Sequence, residues 1–416
     1  MEPPKTVTIP MAMHIGKPAK PVVKVGDPVK VGTLIGEADG NLSSNIYSSV
    51  SGKVTKLAEF LLYSGDTSTA VVIESDGEMT PDENLAAPVV NSREDLIAAV
   101  KASGIVGLGG AGFPTHVKLD VHPQRIEHLV INGAECEPYV TSDTVTMQTR
   151  ADDMAYALKV LIRYLEIEHV VIGIEDNKKD AIAVMKEMAA SITECKVDVK
   201  SLPAVYPQGG EKVLVYHTVG RTIPVGKLPI NVGCVVINCT TLAAIGTYLQ
   251  TGMPLVEKCV TVDGAAVKQP QNVIAPIGTA IEDLFNFCGG LTCAPAKLIY
   301  GGPMMGITVA DTTAPVMKNS NAVLALSEKE AKLPKTTNCI HCGKCINTCP
   351  FKLAPTTIFR AYEKKDAAAL TELSVEACME CGCCSFVCPA NRPLVQINKL
   401  SKQFLKEERM KEANKA

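Results

Sequence analysis

Two cysteine runs near the C-terminal end constrain this chain more than any other feature. The first, C-I-H-C-G-K-C-I-N-T-C-P, places Cys339, Cys342, Cys345 and Cys349 ahead of Pro350. The second, C-M-E-C-G-C-C-S-F-V-C-P, places Cys378, Cys381, Cys384 and Cys388 ahead of Pro389. Both read C-x2-C-x2-C-x3-C-P. Thiolates at this spacing wrap one face of an iron–sulfur cubane, the proline turns the chain away, and the fourth Cys of each run serves the other cluster. The pattern predicts one [4Fe–4S] centre on Cys339, Cys342, Cys345 and Cys388, and a second on Cys378, Cys381, Cys384 and Cys349. Gly343 and Gly382 lie inside the loops, where a Cβ would obstruct backbone approaching the cluster. Cys383 is surplus; taking Cys384 instead repeats the spacing of the first run. Disulfides would need an oxidising compartment, and zinc takes paired C-x2-C knuckles rather than a triplet with a remote Cys-Pro.

Composition narrows the class. The 16 Cys, with no apolar signal-peptide core in M-E-P-P-K-T-V-T-I-P, lead us to expect a reducing cytoplasm. A net charge of −3 and the lack of Trp leave neither a basic footprint nor stacking platforms, so no nucleic-acid partner is expected. No apolar run reaches the ~18–20 residues of a membrane span, so membrane association would have to come through a partner. At 416 residues, 46% hydrophobic, about three domains with packed cores are expected.

From Thr6 to about Glu74 the chain alternates apolar and polar residues between Gly-Asp and Asp-Gly turns, which predicts short strands. A linker rich in Pro, Asp and Glu covers Ser75 to Val90. Ser92-Arg93-Glu94-Asp95 reads as an N-cap opening a helix over Leu96–Ala102. The periodicity then becomes α/β. Strands are expected from His128, His169 and Lys196, and helices over Asp143–Glu166 and Lys178–Ile192, which together indicate a parallel sheet covered on both faces. Cys259 to Leu291 reads as hairpin, strand and helix, a small unit of β-grasp appearance. A charged helix, expected to fray, follows Pro389.

A second chemical signal is G-L-G-G-A-G-F-P-T-H-V-K, from Gly107 to Lys118. It satisfies G-x-G-x-x-G but follows a helix and runs into Phe113-Pro114, so it is not a Rossmann turn, which must follow a strand and open a helix. Its glycines can still converge main-chain N–H groups on a phosphate, with Lys118 adding charge; the competing reading is a turn-rich core loop. N-G-A-E-C-E-P (Asn132 to Pro138) follows a strand at its C-terminal end, Y-P-Q-G-G-E-K (Tyr206 to Lys212) gives another Gly-Gly turn, and Ile237-Asn238 ends a further strand. α/β sheets place ligands at such ends. Met304 and Met305 in G-G-P-M-M-G are expected to fill core space.

These motifs carry a resemblance. G-L-G-G-A-G-F-P-T is similar to the flavin loop of the NADH-binding subunit of respiratory complex I. The V-G-D-x-V-x-x-G-x-L-I layout near the N-terminus resembles the barrel-sandwich hybrid of biotinyl and lipoyl carriers, without the dipeptide that carries the swinging arm. With N-G-A-E-C-E-P-Y, G-G-P-M-M-G and two ferredoxin-like runs, the whole chain resembles the RnfC family, subunits of Rnf ion-translocating electron transport complexes. The resemblance implies a multidomain α/β and all-β fold: a barrel-sandwich hybrid (1–78), an FMN- and NADH-binding α/β domain (91–250), a β-grasp SLBB domain (255–305) and an α-helical two-[4Fe–4S] ferredoxin-like domain (325–416).

It also implies site roles. Gly107, Gly109, Gly110, Ala111, Gly112 and Lys118 would hold the phosphate and ribityl of FMN. Asn132 and Glu135 would face the flavin ring, and Asn238 the phosphate side. Phe113, Glu137, Tyr206 and Glu211 would line the NAD(H) site. The complex I pattern has Asp where this chain has Ala134, and a Glu pair where it has Gly210-Glu211. The implied function is NAD-linked electron transfer through FMN and two clusters, as a peripheral subunit on the inner face of the cell membrane beside other subunits of a redox ion pump. Two readings compete: a soluble relative feeding a proline reductase or a corrinoid enzyme, since the chain starts without the K-G-G-I-H-P leader, and an electron adaptor without flavin.

Overall fold

The computed structural model describes residues 1–62, 65 and 67–413. The N-terminal unit is built from β1 (Thr6–Pro10), β2 (Lys20–Pro21), β3 (Pro28–Val29), β4 (Leu34–Glu37), β5 (Ile46–Tyr47), β6 (Gly52–Leu61) and β7 (Thr67–Ser75). They form two sheets, β1-β7-β6-β3 and β2-β4-β5. The period-two pattern turns Val7, Ile9, Ile35, Ile46, Val54, Val71 and Ile73 inward to a common core. This unit is tied to the third one: Thr8 N–H donates to Gly278 O at 2.9 Å, and Ser49 Oγ donates to Ile277 O at 2.5 Å.

The second unit runs α1 (Arg93–Ala102), α2 (Thr115–Leu119), β8 (His128–Gly133), α3 (Ser142–Thr149), α4 (Ala151–Leu165), β9 (His169–Glu175), α5 (Lys179–Ala190), β10 (Lys196–Leu202), α6 (Glu211–Val219), β11 (Cys234–Asn238) and α7 (Cys239–Thr251). The Ser92 hydroxyl caps α1 as expected, accepting from Asp95 N at 3.0 Å. The sheet order is β10-β9-β8-β11, with every neighbouring pair parallel. Winding proceeds outward from β8 through β9 to β10, and β11 then returns to the other side of β8. The reversal opens a crevice at the C-terminal ends of β8 and β11, the place where such sheets bind ligands.

The single helix expected over Asp143–Glu166 is two helices, broken at Arg150 (φ −125°, ψ 26°). Thr146 and Thr149 turn their hydroxyls back onto the main chain, at 2.9 Å to Ser142 O and 2.8 Å to Val145 O, a bond that weakens a β-branched helix. Arg150 then binds Asp153 Oδ2 at 2.5 Å and reaches Thr247 on α7.

The third unit contains β12 (Glu257–Asp263), β13 (Gln271–Pro276), α8 (Ile281–Phe287), β14 (Lys297–Tyr300), β15 (Ile307–Val309) and β16 (Ala322–Leu326). Its sheet runs β13-β12-β16-β14-β15, with β12 parallel to β16 and Phe285 of α8 buried among Val260, Val262 and Val323. The fourth unit holds α9 (Glu328–Ala331), α10 (Lys344–Asn347), α11 (Pro355–Glu363), α12 (Ala367–Glu372), α13 (Cys383–Phe386) and α14 (Leu394–Ala413). Leu353, Ile358, Leu370, Val375 and Leu405 make its small core. Among the described residues no helix is long and apolar enough to cross a membrane.

Candidate functional site

The glycine loop lies at the crevice between β8 and β11. It closes on itself, Gly107 N donating to Phe113 O at 2.8 Å and Gly112 N to Gly107 O at 3.0 Å. Leu108 N is held by Thr241 Oγ1 at 2.9 Å and Leu108 O by the buried Lys258 ammonium at 2.6 Å. Asn319 Nδ2 donates to Gly110 O at 2.8 Å, and Lys318 Nζ to Gly104 O at 2.7 Å. Gly109, Gly110 and Ala111 are exposed, and among the described residues their N–H groups donate to no protein acceptor. Three open donors on a braced loop suit a phosphate. A Cβ at Gly109 would stand 2.9 Å from Asn238 Nδ2, so the close approach to β11 requires glycine.

The expected polar residues divide into those facing this crevice and those that shape it. Lys118 Nζ donates to Glu211 Oε1 at 2.9 Å and Val236 O at 3.1 Å, half-exposed beside the loop. Asn238 caps α7, accepting from Thr240 N at 3.0 Å and Thr241 N at 3.2 Å, while its Nδ2 donates to Asp143 Oδ2 at 2.7 Å. Asn132 is occupied in joining strand ends, donating to Gly209 O at 2.9 Å and accepting from Ala134 N at 3.1 Å. Phe113 is half-buried at the end of the loop.

Glu135 is buried, and its carboxylate caps α3, accepting from Asp143 N at 2.8 Å, Thr144 N at 3.2 Å and Thr144 Oγ1 at 2.7 Å. Burial, with the Asp143 charge beside it, pushes its carboxyl up to about 7. A folded pKa above the ordinary value of 4.5 gives stability that is full below about 4.5 and lost as pH rises through about 7. Denaturant unfolding at pH 5 and pH 8 should differ on this account by about 1–3 kcal/mol, less in Glu135→Gln.

Glu137 does not stand free either. It accepts Met304 N at 3.0 Å and Met305 N at 2.8 Å, fixing the G-G-P-M-M-G turn to the α/β unit. Met305 is therefore not core filler: it is 45% exposed, because the turn rests on its amides, while Met304 is half-buried with its methyl beside Gly382.

The second cysteine set surrounds a small pocket lined by Cys349, Cys378, Cys381, Cys383, Cys384, Gly382 and Asn398, among others. Cys349, from the first run, faces the triplet of the second. Burial and then the neighbouring thiolates push the Cys384 thiol up to about 12. Iron supplies the positive charge that would let those thiols ionise together. In the other set burial raises the Cys345 thiol, with Cys388 and Cys339 close enough to add to it, and Cys342 is exposed. Among the described residues every Cys is a free thiol and no three Cys, His, Asp or Glu groups converge on a single ion. The type and number of sulfur donors converging on this pocket fit a cluster. Cys383 lines the same cavity without being needed for a four-thiolate set.

Tyr206 joins the two halves of the site. Its hydroxyl donates to Cys381 O at 2.7 Å, and a Cβ at Gly210 would collide with the Met379 methyl. A Cβ at Gly382 would stand 2.9 Å from Met304 O. The loop bearing Cys378–Cys384 thus packs directly on the Tyr206–Glu211 turn, and the second set lies nearer the crevice. In Tyr206→Phe the loss of one hydrogen bond should cost about 0.5–1.5 kcal/mol and leave the iron content unchanged, checked by denaturant unfolding and iron analysis.

Asp143, Lys258, Asn319 and Asn398 were not foreseen from sequence. Each acts across 20 or more residues of chain, with no local motif around it.

Comparison with known proteins follows the same plan. Residues 1–78 match the RnfC barrel sandwich hybrid domain, 100–247 the Nuo51 FMN-binding domain, 259–308 the SLBB domain and 332–389 the 4Fe-4S dicluster domain. The C subunit of the Na(+)-translocating ferredoxin:NAD(+) oxidoreductase complex from Acetobacterium woodii is 43% identical, over 85% of this chain and 81% of its own. The chain belongs to the RnfC family. Among other RnfC relatives, the C subunit of the proton-translocating ferredoxin:NAD(+) oxidoreductase complex of Clostridium ljungdahlii is 39% identical over 85% of this chain and 78% of its own. That of the ion-translocating oxidoreductase complex of Rhodobacter capsulatus is 37% identical over 97% and 79%. The fold is shared with an NAD+-reducing [NiFe]-hydrogenase in the air-oxidized state, at a TM-score of 0.50 and 17% identity, covering 77% of this chain and 55% of that one. RnfC membership and the four matched domains agree with the fold class, FMN and two [4Fe–4S] clusters expected from sequence.

Proposed function

We propose that the chain is the electron-transfer subunit of an Rnf-type ferredoxin:NAD+ oxidoreductase, exchanging electrons between NAD(H), FMN and two [4Fe–4S] clusters. The observation that carries this reading is the Tyr206 bridge, which sets the second cysteine cavity against the crevice holding the glycine loop. FMN supplies the conversion between a two-electron hydride and single electrons.

In this reading the free amides of Gly109, Gly110 and Ala111, inside the turn closed by Gly107 and Gly112, hold the FMN phosphate. Lys118, oriented by Glu211, neutralises it. Asn132, Glu135 and Asn238 keep the strand ends and helix starts in place around the ring. Phe113, Tyr206 and the Glu137-braced turn border the nicotinamide side. The ligands are Cys349, Cys378, Cys381 and Cys384 for the near cluster, and Cys339, Cys342, Cys345 and Cys388 for the far one. The exposed Cys342 side faces the redox partner. Other subunits of the complex hold the chain at the inner face of the membrane.

Anaerobic titration with NADH, followed by visible and electron paramagnetic resonance spectra, tests the proposal. Flavin bleaching followed by the appearance of reduced-cluster signals is expected. Iron-loaded protein that neither binds flavin nor responds to NADH would sink it. Lys118→Met should weaken FMN binding about ten- to a hundredfold, measured by flavin fluorescence, through loss of a charge-assisted bond to phosphate.

A further inference from the structure

We infer that Asn398 is a positioning residue for the near cluster, setting its reduction potential through a hydrogen bond to the Cys378 sulfur. The inference rests on the assignment of Cys349, Cys378, Cys381 and Cys384 to one cluster. Asn398 lies on α14, 1% exposed, and lines the cysteine cavity. Its Nδ2 donates to Cys378 Sγ at 3.4 Å, and its Oδ1 is buried without a hydrogen-bond partner. A thiolate ligand only accepts, so the amide must present nitrogen to sulfur and leave oxygen unpartnered. Packing alone gives no reason for a half-satisfied amide in a cavity otherwise bordered by Leu353, Val395 and proline rings.

The helix is locked at this height. One turn on, Lys402 Nζ donates to Cys378 O at 3.2 Å and Glu380 Oε1 at 2.5 Å. α14 therefore grips the Cys378–Glu380 segment at main chain and side chain, and Asn398 cannot drift from the sulfur. The other set differs: Cys339 Sγ takes its bond from the main-chain N–H of His341, at 3.4 Å. Of these two donors, only that at the near cluster can be removed by substitution, which makes the far cluster an internal control.

Donation to a ligand sulfur draws charge from it, and the reduced cluster carries the extra negative charge, so the bond favours reduction. Redox titration of the full chain, loaded anaerobically and followed by electron paramagnetic resonance, compares wild type with Asn398→Leu. The near-cluster signal is identified as the one missing from Cys349→Ser. At the wild-type midpoint, the reduced-to-oxidised ratio of the near cluster should fall about tenfold in Asn398→Leu, equivalent to about 59 mV for one electron. The far cluster should stay within twofold. Both ratios within twofold at full iron content overturn the inference.

Should Asn398→Leu hold less iron, wild-type protein decides by resonance Raman in H2O and in 2H2O. Cluster–thiolate stretching bands of the near cluster that shift on exchange support the bond, and unshifted bands overturn it. Wild-type protein that takes up fewer than two clusters overturns the ligand assignment itself, a distinct failure read from iron analysis before any titration.

Discussion

Replacing Cys349 by Ser is expected to empty the near cluster and spare the far one, although Cys349 belongs to the first cysteine run. Iron per chain should fall from about eight to about four. The reason is the cavity: Cys349 faces Cys378, Cys381 and Cys384, while Cys388 lies with Cys345 and Cys339. Cys388→Ser should do the converse. A serine hydroxyl ionises far less readily than a thiol and binds iron as a harder ligand, so a three-thiolate site with one alcohol holds its cluster poorly. The effect should also be structural. Cys349, Cys378 and Ala377 pack against the Ile358, Leu370 and Val375 core, so loss of the cluster loosens that face, as metal loss does in small metal-stapled domains. Iron and sulfide analysis gives the count, and hydrogen exchange over 345–355 and 375–385 gives the loosening. A Cys349→Ser protein that keeps all its iron, or loses the far-cluster signal instead, would refute the crossed assignment.

What could be read from the chain alone followed the range of the interactions concerned. Cluster ligation is written in local spacing, so a crossed cysteine assignment can be expected before any fold. Strand periodicity gave β8, β9 and β10 in the same way. The break at Arg150 was hidden because apolar spacing continues through it, Met147 and Met154 both being buried. α7 packs closely on the start of the second helix, where a Cβ at Gly246 would run into the main chain at Asp153. The hydrogen bonds of Glu135 and Glu137 lie beyond sequence for a related reason. Sequence puts carboxylates near strand ends where a ligand belongs, but only the fold shows that their oxygens are already committed to α3 and to the Met304–Met305 amides.

Gly109→Val should abolish FMN binding, with an affinity loss of at least a hundredfold, while both clusters remain. The residue at 109 meets Asn238 Nδ2, Cγ and Cβ at 2.9, 3.1 and 3.2 Å as soon as it has a Cβ. Asn238 cannot yield. It donates to Asp143 Oδ2 at 2.7 Å and accepts from Thr240 N and Thr241 N at the start of α7. Displacing it would leave buried polar groups unpaired at about 1–3 kcal/mol each. The loop must lift instead. Lifting breaks the Thr241 and Lys258 bonds to Leu108 and scatters the amides of Gly109, Gly110 and Ala111, whose value lies in converging on one anion. Gly110→Ala separates crowding from strain. Its Cβ would meet nothing within 4 Å, but its φ of +123° suits glycine alone, so the cost is backbone strain of about 1–3 kcal/mol. That variant should bind FMN about ten- to a hundredfold more weakly and regain occupancy at higher flavin concentration, whereas Gly109→Val should not. Equal flavin retention in both variants, measured after desalting the anaerobic proteins, would remove the loop from the flavin site.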